Sequence, residues 1–205
     1  MLEGNKKVVS LEEWFPTAIL SVNAEHLCHI AQYLFNETDF VKHKNDQYNE
    51  NGYTTYFSNT KLPLIPEVNI FKESLIEYAA ILANAQGADL VNNKIIVSNM
   101  WLNLMNTGCK HNAHIHPNSH FSGTFYLNNP IGASRIRFYN PIEGWEYCKP
   151  PTIDPGNRIS CSYVEHKPSP GKLLIWNPWL KHEVLENASV EPRLSISFNF
   201  NIVSK

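Results

Sequence analysis

The sequence has little of several features that would assign it to a common class of protein. Its 205 residues include only four cysteines, with no C-x-x-C pair, which excludes a disulfide scaffold and favours a reducing, cytoplasmic setting. No apolar run approaches the roughly 20 residues that a membrane-spanning helix needs, and the first residues lack the apolar core of a secretory signal. The basic residues are scattered and the net charge is −2, so a nucleic-acid partner is disfavoured.

The composition is sufficient for a folded domain with a sizeable core. Hydrophobic residues make up 43% of the chain and aromatic residues 12%. Neither an internal repeat nor a linker interrupts the sequence. We expect residues 1–205 to form a single domain, in which residues 1–93 are a helical support region and residues 94–205 form a strand-rich core.

Two segments of the first half have the apolar spacing of helices. Residues 23–35 repeat apolar side chains at i, i+3, i+4 and i+7 behind Asn23, which is predicted as the N-cap. Residues 69–84 carry a second apolar stripe, and Gly87 is predicted to end that helix. Between them, the polar residues 42–66 are interpreted as an irregular surface excursion or a short hairpin.

From residue 94 onward, short apolar stretches alternate with turn residues. The pattern predicts seven strands: 95–105, 121–128, 135–139, 162–167, 172–176, 182–186 and 193–203. Short strands of this kind indicate a sandwich or barrel. The expected fold class is therefore α+β, mainly β, with a jelly-roll core and N-terminal helices that buttress one face.

Histidines are the chain's clearest candidates for metal ligands. On an extended strand, His114 and His116 are two positions apart and point to the same side. His182 follows a strand end and a tight turn, so it is placed to close a three-ligand set on one face of an ion. His111 and His120 do not keep this phase and are predicted to be loop residues or partners of the ligands.

The third ligand has competing candidates. The usual non-heme iron set is two histidines and one carboxylate in the order H-x-D/E…H, and His116 occupies the carboxylate position here. In the alternative, His116 only packs or hydrogen-bonds, and a remote Asp154, Glu165 or Glu183 supplies the carboxylate. Cys109 is a weaker candidate, since a buried structural role explains it equally simply.

Arg193 and Ser195 lie at i and i+2 on the last predicted strand and therefore share one face. Their geometry suits a carboxylate bound beside the metal. The strand alternates polar and apolar residues, so its polar row could instead face solvent.

Together these residues resemble a known family, the Fe(II)/2-oxoglutarate-dependent oxygenases, and in particular a group of small oxygenases with an H-x-H-P…H…R-x-S pattern. The segments that carry the resemblance, all within residues 94–203, are His114-Ile115-His116-Pro117, Ser122-Gly123-Thr124-Phe125-Tyr126-Leu127, and His182 with Arg193-Leu194-Ser195-Ile196-Ser197-Phe198-Asn199.

The resemblance implies a double-stranded β-helix that holds Fe(II) at its open end and takes 2-oxoglutarate as co-substrate. It implies that Arg193 and Ser195 bind the far carboxylate of 2-oxoglutarate, with Tyr126 as a further candidate. Such an enzyme hydroxylates a substrate with O₂ and releases succinate and CO₂. The histidine at position 116 departs from the usual pattern, and it fills the space that a halogenating relative would need for halide.

Two alternatives use the same residues differently. A three-histidine cupin-type dioxygenase or isomerase would need no 2-oxoglutarate, and a non-catalytic module would hold a structural metal with four protein ligands. The substrate of an oxygenase, a small molecule or a peptide, is not specified by the sequence, nor is the oligomeric state. Residues 143–157 are predicted either as a substrate lid or as an ordinary strand connection.

Overall fold

The computed structural model describes residues 10, 14–44, 52–58, 66–128, 130–142 and 144–205. Three α-helices and ten strands form in this part of the chain. The helices are α1 (Cys28–Asn36), α2 (Pro66–Ala85) and α3 (Trp145–Cys148). The strands are β1 (Ile19–Asn23), β2 (Gly52–Thr54), β3 (Asn93–Met105), β4 (His111–His114), β5 (Phe121–Tyr126), β6 (Ile136–Tyr139), β7 (Tyr163–His166), β8 (Lys172–Trp176), β9 (His182–Val184) and β10 (Arg193–Ser204).

The strands form two antiparallel sheets. The larger sheet has the order β1-β8-β5-β10-β3-β2, and the smaller sheet has the order β4-β9-β6-β7. Apart from the β2–β3 and β6–β7 pairs, neighbouring strands in each sheet are not consecutive in the chain, which is the connectivity of a jelly roll rather than of a meander. The expected fold class, a mainly β domain of the double-stranded β-helix type, is confirmed.

The helices cover the outer face of the larger sheet. Buried residues of α1 and α2, such as Leu34 and Leu75, join one apolar cluster with outward-facing residues of the strands, such as Ile196. Phe71 of α2 meets Phe125 of β5 edge to face, with ring centroids 5.4 Å apart. The helices therefore buttress one sheet, as the sequence predicted, and they leave its inner face to the interior of the jelly roll.

A second, smaller cluster fills part of that interior. Tyr126 of β5, Phe138 of β6 and Trp176 of β8 are buried there together. Gly123 of β5 packs against its neighbours so closely that a Cβ at this position would meet the Phe198 ring and lie 2.7 Å from the Leu174 carbonyl oxygen. The glycine therefore allows the inner strands to approach one another.

The seven predicted strands all form, with ends that shift by one or two residues. Strand β1 was not predicted, because its five residues lie immediately before a helical segment. β2 lies in the segment interpreted as an excursion or a hairpin, and β4 covers only His111–His114 of the region expected to be extended. β4 has no apolar alternation, so the strand pattern did not define its bounds.

Three local predictions about the first half of the chain, for Asn23, the hairpin and Gly87, had different outcomes. The N-cap prediction for Asn23 is wrong, because Asn23 ends β1 and a 3-10 turn over Glu25–Leu27 precedes α1. Lys44 bridges Tyr53 in an antiparallel pair, as the hairpin interpretation requires, although Asn51 of its turn lies outside the described residues. Gly87 ends α2 with φ +74°, as predicted.

Candidate active site

Three histidines from separate parts of the chain meet at one end of the jelly roll. His114 ends β4 and His182 begins β9, and these two residues face one another in the β4–β9 pair. His116 lies two residues beyond the end of β4, where its backbone N–H donates to the Pro178 carbonyl at 3.0 Å. The expected strand at position 116 is therefore absent, but this hydrogen bond still holds His116 beside the turn that precedes His182.

The three side chains have the separation of ligands around one ion. Their candidate donor atoms all lie within 4.8 Å of one another, and the Nε2 atoms of His116 and His182 are 3.2 Å apart. Two imidazole nitrogens, each about 2.1 Å from an ion and at a right angle, would be about 3 Å apart. Among the described residues, this is the group of histidine, cysteine and acidic side chains that could hold a metal.

Backbone carbonyls orient two of the three rings. His114 Nδ1 donates to the Asn112 carbonyl at 2.8 Å, and His182 Nδ1 donates to the Leu180 carbonyl at 2.9 Å. Because a carbonyl only accepts, the proton is on Nδ1 and Nε2 keeps its lone pair. This arrangement is typical of metal-binding histidines, in which the second nitrogen is fixed by an outer hydrogen bond.

Burial keeps the imidazoles neutral. It lowers the pKa of His114, and it lowers the pKa of His116 to about 4. The pKa of His182 is well below its usual value for the same reason, with the nearby His114 acting in the same direction. A cluster of neutral imidazoles is a set of metal ligands rather than a set of cations.

The other two histidines of the segment do different things. His111 stacks on His114, with ring centroids 3.9 Å apart, and it lines the cavity into which the three histidines face. His120 is exposed, and its Nδ1 lies 3.3 Å from Asn201 Oδ1. The structure therefore places His111 beside the cluster and His120 outside it.

The alternative carboxylate ligands lie elsewhere. Glu165 pairs with Arg137 at 2.7 Å, and Glu183 accepts from Tyr139 Oη at 2.6 Å. Asp154 is exposed and accepts from the backbone N–H of Gly156. None of the three belongs to the group of possible metal ligands, and the same is true of the buried Cys109.

Arg193 lies inside the jelly roll without an acidic partner among the described residues. It is 2% exposed, and its Nη1 donates to Ser195 Oγ at 3.2 Å and contacts Met105 Sδ at 3.4 Å. Its Nε has no hydrogen-bond partner in the described chain. Burial lowers the pKa of this guanidinium, yet no carboxylate in the described part of the chain compensates its charge.

The polar row of β10 faces the interior of the jelly roll. Ser195 and Asn199 are buried on the inner face with Arg193, while Ile196 and Phe198 join the apolar cluster under the helices. The strand is central, between β3 and β5, and both of its faces are covered. The interpretation of the polar row as solvent-facing is therefore wrong.

Tyr126 lies over the same guanidinium. The Arg193 Cζ is 4.8 Å from the centre of the Tyr126 ring, which is fully buried. Burial raises the pKa of Tyr126, and the nearby positive charge partly offsets that rise. Its Oη has no hydrogen-bond partner in the described part of the chain.

A small cavity joins the histidines to Arg193. Its volume is about 40 Å³, and all three candidate ligands line it together with Tyr126 and Arg193. Sequence reasoning did not single out Trp176, which also lines it; a tryptophan in an apolar strand gave no functional signal. The cavity thus offers a metal-binding end and a cationic end.

A larger groove of about 750 Å³ opens beside His114 and His116. One wall is a row of rings: Phe57 and Tyr56 have centroids 4.8 Å apart, Tyr56 and Trp101 4.9 Å, and Trp101 and His116 5.9 Å. The groove's other polar side chains are uncharged: Ser98, Asn99, Asn112, Asn118, Ser119, Asn199 and Asn201. None of the described residues 144–157, predicted as a lid, lines this groove.

Two solved structures share the fold over most of the chain. A prolyl-4-hydroxylase from Pseudomonas putida is 15% identical, with a TM-score of 0.59 over 90% of this chain and 92% of that one. The epimerase SnoN, in complex with Fe³⁺, alpha-ketoglutarate and nogalamycin RO, is 12% identical, with a TM-score of 0.61 over 92% and 82% of the two chains.

A third structure is a prolyl hydroxylase from Trichoplax adhaerens in complex with a hypoxia inducible factor peptide fragment. It is 12% identical, with a TM-score of 0.55 over 89% of this chain and 83% of that chain. At such low identities these likenesses show the fold. The comparison with curated proteins finds no match.

The sequence itself supplies the family. Residues 99–199, which span His114, His182 and Arg193, match the family described as "Putative 2OG-Fe(II) oxygenase". The matched segment runs from the inner face of β3 to the inner face of β10 and so includes both ends of the cavity. Over these residues the chain belongs to the 2OG-Fe(II) oxygenases, which are oxidoreductases that use Fe(II) and 2-oxoglutarate.

Proposed function

We propose that this protein is a dioxygenase, a single oxygenase domain in which His114, His116 and His182 hold Fe(II), and that it hydroxylates its substrate. The observation that carries the proposal is the convergence of three neutral imidazoles within 4.8 Å at the mouth of a cavity that ends in a buried, uncompensated arginine. Bound Fe(II) would supply the activation of O₂, coupled to conversion of 2-oxoglutarate to succinate and CO₂.

The residues present fit 2-oxoglutarate as well as the metal. Arg193 needs an anion, and a carboxylate can accept from its guanidinium and from Ser195 Oγ together. Tyr126 Oη offers a further donor at the same end of the cavity. These three residues are proposed to fix the far carboxylate and so to orient the other end of 2-oxoglutarate toward the histidines.

A histidine as the third ligand changes the charge balance of the site. Three imidazoles leave the full 2+ charge of the ion uncompensated, whereas two imidazoles and a carboxylate leave 1+. The dianionic co-substrate adds two negative charges, which here are balanced by the ion with Arg193 supplying an extra positive charge. The site is therefore expected to depend more strongly on the co-substrate than a site with a carboxylate ligand would.

The cavity must adjust before 2-oxoglutarate enters. Its volume of about 40 Å³ is close to that of one water molecule. Met105 contacts the Arg193 guanidinium and has an unbranched, readily rotated side chain. Rotation of Met105 is the simplest way to enlarge the space beside Arg193.

The groove beside His114 and His116 is proposed to bind the prime substrate. Its aromatic row leads from solvent to His116, and its described lining contains no lysine, arginine, aspartate or glutamate. A substrate held there gains contact with ring faces and hydrogen bonds from neutral amides. We therefore propose an uncharged reacting region, in a small molecule or in a peptide, rather than a phosphorylated or carboxylated one.

Succinate formation tests the proposed activity. The iron-loaded protein is expected to convert 2-oxoglutarate slowly to succinate and CO₂ without a prime substrate, and a true substrate should accelerate this conversion. Zinc-loaded protein should be inactive, because Zn²⁺ has no redox chemistry. Metal binding without 2-oxoglutarate binding would instead favour the cupin-type or structural-metal alternative.

The third ligand is tested by substitution of His116. His116→Ala should weaken Fe(II) binding by more than about a hundredfold, because only two imidazoles remain. His116→Asp should keep the metal, since it restores a ligand that is common in such sites. Iron titration of both variants measures this, and wild-type affinity in His116→Ala would remove His116 from the metal set.

A further inference from the structure

Trp176, which lines the cavity, carries a buried hydrogen-bond donor. The indole Nε1 of Trp176 is inaccessible to solvent and has no hydrogen-bond partner in the described residues. The whole side chain is 2% exposed. A buried N–H without a partner is destabilising and rare in folded proteins, so such a group is expected to have a use.

Trp176 is held at the metal end of the cavity. Its ring meets that of His182 edge to face at 4.8 Å and lies 6.5 Å from that of His116. Phe138 packs on it at 4.9 Å, and the backbone of β8 is paired on both sides, by β1 and β5. The indole is therefore fixed in position before any ligand arrives.

Three unpartnered donors line this one cavity: Trp176 Nε1, Tyr126 Oη and Arg193 Nε. Tyr126 and Arg193 contact one another and form the cationic end. Trp176 contacts the histidines instead. The side chains that carry these donors thus lie at both ends of the cavity, as a ligand with an oxygen-bearing group at each end requires.

We propose that Trp176 is a co-substrate-binding residue, whose indole N–H donates to the oxygen-bearing end of 2-oxoglutarate that lies beside the metal. This inference rests on the proposed function. A rigid N–H donor there would fix the rotation of the co-substrate about its long axis, which the Arg193 end leaves free. Trp176 would thereby set which side of the ion stays open.

The proposal is tested with a conservative variant and with the nuclear magnetic resonance signal of the Trp176 indole N–H. Trp176→Phe keeps a ring in the aromatic cluster and removes only the donor and part of the ring system. It should weaken 2-oxoglutarate binding to the Fe(II)-loaded protein by about tenfold and shift the charge-transfer absorption band of the complex. Fe(II) affinity should stay at the wild-type value, because the three histidines are unchanged.

Trp145→Phe is the matched control. It also removes an indole N–H, but that group donates to the Ser160 carbonyl at 3.1 Å, outside the cavity. This variant should bind 2-oxoglutarate as the wild type does. A comparable weakening in both variants would mean that the effect is not specific to the cavity donor.

Nuclear magnetic resonance of indole-¹⁵N-labelled protein gives a readout independent of turnover. The chain has five tryptophans, and Trp176→Phe identifies the Trp176 signal by its loss. With Zn²⁺ in the site, 2-oxoglutarate should move that signal downfield, as a new hydrogen bond does. An unmoved signal together with unchanged affinity in Trp176→Phe overturns the inference, whereas absence of 2-oxoglutarate binding in the wild type overturns the proposed function instead.

Discussion

His182→Ala is expected to abolish tight Fe(II) binding. His182 is 3% exposed, its Nδ1 is held by the Leu180 carbonyl, and its Nε2 faces that of His116. Its removal leaves two imidazoles, His114 at the end of β4 and His116 beyond it, which cannot hold a labile divalent ion against water. The affinity should fall by more than about a hundredfold, as measured by metal analysis after iron loading and desalting.

Two controls separate loss of a ligand from loss of the fold. His182→Gln retains much of the side-chain volume, so it should fold with little change in thermal stability and still lose iron. His120→Ala, which removes an exposed histidine of the same segment, should keep wild-type iron. Full iron occupancy in both His182 variants would show that this histidine is not a ligand.

Arg193→Ala is expected to weaken 2-oxoglutarate binding about a hundredfold while leaving Fe(II) binding nearly unchanged. The guanidinium is buried with no acidic partner in the described chain, so its charge is available to the ligand. Loss of a charge-assisted pair to a buried carboxylate costs about 3 kcal/mol. Titration of the absorption band of the iron and 2-oxoglutarate complex gives the dissociation constant.

Two further variants show whether the effect has the chemistry of a guanidinium. Arg193→Lys should recover only part of the affinity, because an ammonium cannot donate as a planar fork. Ser195→Ala should cost less, about 1 kcal/mol, as a single hydrogen bond. An unchanged dissociation constant of 2-oxoglutarate in Arg193→Ala would favour the cupin-type alternative, which needs no 2-oxoglutarate.

The β core was predictable because its strands carry their signal locally. The stretches that became β3, β5, β8 and β10 are apolar, bounded by turn residues, and long enough to be recognised. β4 could not be recognised in the same way, because its four residues, His111–His114, contain no apolar alternation. That strand exists because β9 pairs with it, and pairing between residues about 70 positions apart is not visible in a local pattern.

The candidate ligands were predictable for a similar reason, and the rest of the site was not. His114, His116 and His182 are marked by residue type and spacing. Trp176 and the ring row through Tyr56 and Trp101 are made of residues that usually fill cores, and only their position around the cavity distinguishes them. No helix among the described residues has both the length and the apolar character needed to cross a membrane.

The central position of β10 has a consequence for synthesis of the chain. β10 lies between β3 and β5, which are both made earlier, so neither of those strands has its full set of partners until residues 193–204 have left the ribosome. Until then, β3 and β5 present unpaired edges and an apolar face to the chaperones of the cell. Because Arg193 arrives on the same strand, a nascent chain acquires its anchor for 2-oxoglutarate only in the step that closes its larger sheet.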